Sequence, residues 1–144
     1  MKNLRLLALL VILANLIVGV WHLFIVTRIL PGPQNSVPRL AIGLMTLGHL
    51  CMAAVLWKLA NRAAGLVLLL FFLAAICAGL YEHLLHPGPN NIFMVASSDV
   101  TGWFDFSVFV LLALEVTGCW LAIRLLGSRP NHRTQPGSAT RAVS

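Results

Sequence analysis

The chain has 144 residues, of which 59% are hydrophobic and only 10% charged, with ten Lys and Arg against four Asp and Glu and a net charge of +6. A soluble domain of this size needs far more polar surface to stay in solution, so a water-soluble globular fold is excluded. The basic residues flank apolar runs instead of forming a patch, which argues for attraction to anionic lipid and against nucleic acid as a partner.

The first apolar run covers about residues 6–29 and follows Lys2 and Arg5. It is too long for the ~7–15-residue core of a secretory signal and has no small-x-small cleavage site, so it reads as a retained span. Asn15 falls near its middle, and Val11, Asn15, Gly19 and His22 share one helical face. Pro31-Gly32-Pro33-Gln34-Asn35 ends the run abruptly, since Pro neither continues a helix nor allows a helical residue before it.

The second run covers about 40–57, with Ile42, Met45, His49, Met52, Ala53 and Leu56 on one stripe. Lys58 and Arg62 lie in a tight connection to the third run, about 63–81. Spans two and three are therefore expected to be antiparallel neighbours. The third run carries Ala75, Gly79, Glu82 and His86 at helical spacing and closes with Tyr81-Glu82-His83-Leu84-Leu85-His86. Pro87-Gly88-Pro89-Asn90-Asn91 then echoes the motif after span one, and shared turn chemistry accounts for so short a match.

The fourth run covers about 103–123, with Asp105, Leu112, Glu115, Gly118, Cys119 and Ala122 on one stripe. Each run approaches the ~20 residues that cross a ~30 Å hydrocarbon core as helix. The expected fold is all-α: a polytopic four-helix up-down transmembrane bundle over 1–126. A basic tail, 127–144, has too little to bury and is expected to be disordered.

Eight basic residues (Lys2, Arg5, Lys58, Arg62, Arg124, Arg129, Arg133 and Arg141) fall on one side, and Arg28 and Arg39 on the other. The positive-inside rule then places both termini in the cytoplasm, in a cell inner (plasma) membrane. Trp57 and Trp103 fit interfacial belts, whereas Trp21 and Trp120 lie deeper and are expected to pack between helices. Cys51, Cys77 and Cys119 sit in different spans, as small packing residues and not a disulfide framework.

Ionisable groups within spans are costly and face the bundle interior. Counting at ~1.5 Å per residue puts Asn15, His49 and Glu115 near the midplane, with Glu115 expected beside His49. Such a layer suits a proton relay or an interhelical hydrogen-bond cluster.

A second group, His22, Glu82, His83, His86 and Asp105, gathers toward the opposite end from the basic residues. Imidazole with carboxylate suits Zn²⁺ or Cu²⁺. Haem ligation needs two imidazoles at similar depth, whereas the count separates His22 at ~7 Å from His83 at ~15 Å outward. Glu-His-x-x-His is not the zinc-protease order, and no other catalytic motif is present. The leading functional expectation is a non-enzymatic accessory subunit acting through other membrane subunits or self-association. Metal or haem handling comes next, then a small proton-coupled transporter.

Overall fold

A computed structural model describes residues 2–29, 36–88, 90–94 and 100–128. Among them the chain is all-helical: α1 (Lys2–Ile29), α2 (Ser36–Lys58), α3 (Asn61–Leu80) continued by a π-helical turn (Tyr81–Leu85), and α4 (Thr101–Leu126). All four helices are long and apolar enough to cross a membrane. The helices outrun the apolar segments, beginning at Lys2, Ser36 and Thr101, because backbone hydrogen bonding does not stop where the side chains turn polar. Pro38 sits in the first turn of α2, where its missing N–H has no intrahelical acceptor to lose. The first Pro-Gly-Pro motif and the basic tail beyond Ser128 lie outside the described residues.

Without water between helices, close approach depends on small residues. The tightest seam is α3 on α4. A Cβ on Gly65 would lie 2.7 Å from the Ala122 carbonyl oxygen, and one on Gly118 would overlap the Phe72 ring. The Phe72 ring thus seats on the bare backbone of α4. Ala64, Leu68, Phe72, Leu121, Ala122 and Leu125 fill this seam, and Ala8, Ile12 and Leu56 close it from α1 and α2. The α1–α2 contact has its own glycine, Gly19, against which the Met45 side chain lies. The buried face of α3 is therefore Ala64, Gly65, Leu68 and Phe72, while Glu82 at the end of the expected stripe is exposed.

α2 and α3 touch only lightly despite the tight turn between them. Large apolar residues such as Leu44, Leu47, Leu66, Leu70 and Phe109 face outward, as a lipid solvent requires. Contacts between α1's start and the 56–61 turn, and between α1's outer turns and the start of α4, are consistent with up-down order.

Trp21 packs edge-on against Trp103 at 6.0 Å and Phe106 at 6.2 Å, as a deep Trp was expected to do. Trp120 does not: it is 55% exposed, with the Arg124 guanidinium over its ring. Its position falls on the α4 face opposite Gly118 and Ala122, which the α3 seam occupies.

Candidate functional site

Asn15, His49 and Glu115 come from α1, α2 and α4, and the structure gathers them into one layer. His49 and Asn15 are each only 4% exposed. His49 Nε2 lies 2.8 Å from Asn15 Oδ1, and His49 Nδ1 lies 2.7 Å from the Met45 carbonyl oxygen one turn earlier. Phe71 of α3 meets the imidazole edge-to-face at 5.2 Å. The Asn15 side chain also faces the Glu115 carboxyl. Glu115 is therefore not the direct partner of His49, as its depth alone suggested. Asn15 stands between them, because α1 packs between α2 and α4.

With the Asn15 amide oxygen turned toward His49, the donors and acceptors of this layer do not match for a neutral imidazole. A carbonyl oxygen faces Nδ1 and an amide oxygen faces Nε2, so each ring nitrogen is presented with an acceptor. A neutral imidazole has one N–H, and only the imidazolium donates from both positions. The other end of the amide, Asn15 Nδ2, is buried with no hydrogen-bond partner. Two arrangements resolve the mismatch. In one, His49 is protonated and donates to Oδ1, while Nδ2 turns to an ionised Glu115. In the other, the carboxamide is rotated by half a turn, Nδ2 donates to a neutral His49, and Oδ1 accepts from a protonated Glu115. The two differ by the position of one proton and one amide rotation.

The second group divides in two. α3 ends in a π turn, with His86 N–H bonded to the Tyr81 carbonyl at 2.7 Å. The wider turn swings His83 inward and leaves Glu82 and His86 outside. The outer pair approaches to 3.7 Å, with both side chains about half exposed, and His86 stacks on Tyr81. His83 instead meets His22, ring centroids 4.9 Å apart and nearly perpendicular. The expected difference in depth between these two rings is thus corrected, since the π turn and the length of α1 bring them level.

His22 Nδ1 lies 2.8 Å from Ser107 Oγ, whose hydroxyl donates onward to the Phe104 carbonyl at 2.6 Å. His22 therefore donates from Nδ1. His83 Nδ1–H donates to the Asn90 carbonyl at 2.9 Å. Asp105 stands apart, with Oδ1 buried and without a hydrogen-bond partner. Among the described residues no three His, Cys, Asp or Glu side chains converge on one point. Rings in edge contact also leave no space for a macrocycle between them, so His22 and His83 do not fit as two axial ligands of one haem.

Two structural residues escaped the sequence reading. Arg5 carries more than topology: its guanidinium donates to the Leu56 carbonyl at 2.6 Å, the Leu59 carbonyl at 2.8 Å and Asn61 Oδ1 at 2.7 Å. It caps the C-terminus of α2, where open carbonyls and the helix dipole favour a cation. Asn91, buried in the 86–94 loop, donates from Nδ2 to the His86 carbonyl and accepts at Oδ1 from the Phe93 N–H. An Asn after Pro-Gly-Pro carried that signal as turn chemistry.

Comparison of the chain with protein-family models, with curated proteins and with solved structures finds no match.

Proposed function

We propose that this chain is a non-enzymatic subunit of the inner membrane that holds and passes a proton within the bilayer, with both termini in the cytoplasm. One observation carries the reading: the amide of Asn15 stands between a histidine and a carboxylic acid, and the histidine faces an acceptor at each ring nitrogen. Two arrangements complete the hydrogen bonds of this layer, and they differ by one proton and one amide rotation, which is the pair of states that a proton relay needs. Intramembrane carboxylates cost at least ~2.5 kcal/mol before pairing and are retained chiefly where they act. The small extramembrane portion of the chain and the lipid-facing leucines support action through neighbouring subunits instead of a soluble substrate.

A hydrophobic carbodiimide tests the reading, because it dissolves in lipid and condenses with protonated carboxylic acids. Dicyclohexylcarbodiimide should modify Glu115 in the native protein, with labelling that falls as pH rises, and Glu115→Gln should abolish it. Failure to label Glu115 at any pH in the folded protein would reject the proposal.

A further inference from the structure

Between α3 and α4 lies a cavity of about 120 Å³, with His83 and Glu115 as its two titratable lining residues. Gly79, Leu84, Ile92, Val108 and Leu112 form much of the remaining wall, which is apolar. Along α4 the lining runs from Val108 to Glu115, about 10 Å at ~1.5 Å per residue. The volume has room for about four waters at ~30 Å³ each.

We propose that this cavity is a water port through which protons reach Glu115 from the side of residues 81–94. The inference rests on the proton-handling reading of the central layer. His83 forms the mouth: it is half-buried, the π turn points it inward, and the loop fixes it twice. Its Nδ1–H donates to the Asn90 carbonyl, and its own carbonyl accepts from the Ile92 N–H at 3.0 Å. Ile92 is itself a wall of the cavity, so the loop that holds His83 also shapes the opening.

The apolar walls offer waters no hydrogen bonds, so a file of waters is held only by bonds between its own members and by its two polar ends, His83 and Glu115. At the inner end the Glu115 carboxyl borders the cavity and faces Asn15, which continues the chain to His49. The ligand of the port is the hydrated proton, entering from one side only.

Silver ion is the probe, being small enough to follow a water file and reactive toward thiols. In vesicles of one verified orientation, Leu112→Cys and Val116→Cys are each placed in a chain whose three native cysteines are replaced by Ala. Val116 is exposed on the lipid face. Silver added on the 81–94 side should consume the thiol of Leu112→Cys at least about tenfold faster than that of Val116→Cys. Adding Gly79→Leu should slow it by about the same factor, since a Cβ at Gly79 meets only open space and the side chain grows into the cavity. Gly79→Ala should slow it less, in the same direction, and serves if the larger side chain unfolds the protein.

The port is overturned if Leu112→Cys reacts no faster than Val116→Cys, if it reacts faster from the opposite side, or if filling the cavity changes nothing. Carbodiimide labelling of Glu115 in the same vesicles separates the two proposals, because that reagent arrives through lipid. Labelling retained while silver is excluded rejects the port alone. Labelling absent rejects the proton reading on which the port depends.

Discussion

Asn15 Oδ1 lies 2.8 Å from His49 Nε2 across the α1–α2 interface, deep inside the bundle. The bond ties a span with no other polar residue near its middle to the most loosely packed helix of the four. It also means that Glu115 can be removed without breaking the His49 contact. Asn15 and Glu115 should therefore respond differently to substitution.

Asn15→Leu leaves His49 Nε2 facing a methyl group. A buried polar atom that loses its partner costs about 1–3 kcal/mol. Thermal unfolding in mild detergent should shift downward accordingly. Glu115→Leu leaves the His49–Asn15 bond in place and strands only the far end of the Asn15 amide, whereas Asn15→Leu strands both His49 and Glu115, so the unfolding temperature of Glu115→Leu should fall less than that of Asn15→Leu. The reverse order of the two variants would show that Glu115, and not Asn15, holds the layer.

Arg5→Lys keeps the topological charge but loses the planar fork that reaches two carbonyls and Asn61 together. Membrane orientation should be unchanged. Stability should fall by about 1.5–3 kcal/mol, the usual range for a lost hydrogen bond to a charged group. Equal stability of Arg5→Lys and the native chain would show that charge alone matters at this end.

At the α3–α4 seam, Gly65→Ala brings a methyl against the Ala122 carbonyl at 2.7 Å and the Leu126 nitrogen at 2.8 Å. Backbone atoms cannot rotate away, so the helices must separate, at about 1–3 kcal/mol for overpacking. Gly43→Ala, where a Cβ meets nothing within 4 Å, is the matched control and should be neutral or slightly stabilising. Equal behaviour of the two would remove the close approach as the basis of the seam.

How much of this was legible in the sequence varies with the range of the interaction. Asn15, His49 and Gly19 were placed on inward faces by helical spacing, and all three are buried. Counting along the spans put Glu115 level with Asn15, but depth does not say which helix stands between two others, and so the intervening amide was missed. The face of α3 was misassigned at its outer end, because a turn with i→i+5 bonding has no residue signature and re-aims every side chain after Leu80. Arg5 was read as a topology marker because its acceptors lie more than fifty residues away in sequence. A charge at a membrane border already has a sufficient explanation, and nothing local points to a second one.

Topology is tested by thiol labelling in intact cells. Ser97→Cys should react with an impermeant reagent added outside, and Ser138→Cys should react only after the membrane is opened. The opposite pattern would invert the orientation read from the eight basic residues on one side.

The proton on Glu115 is seen most directly by infrared difference spectroscopy of the purified protein between acid and alkaline pH. A protonated-carboxyl stretch should appear at the acid end and vanish in Glu115→Gln. An amide change from Asn15 and a ring change from His49 should accompany it, and Asn15→Leu should uncouple the His49 signal from that of the carboxyl. A Glu115 carboxyl that shows no protonation change at any pH in the folded protein would contradict the proton-handling role of the layer.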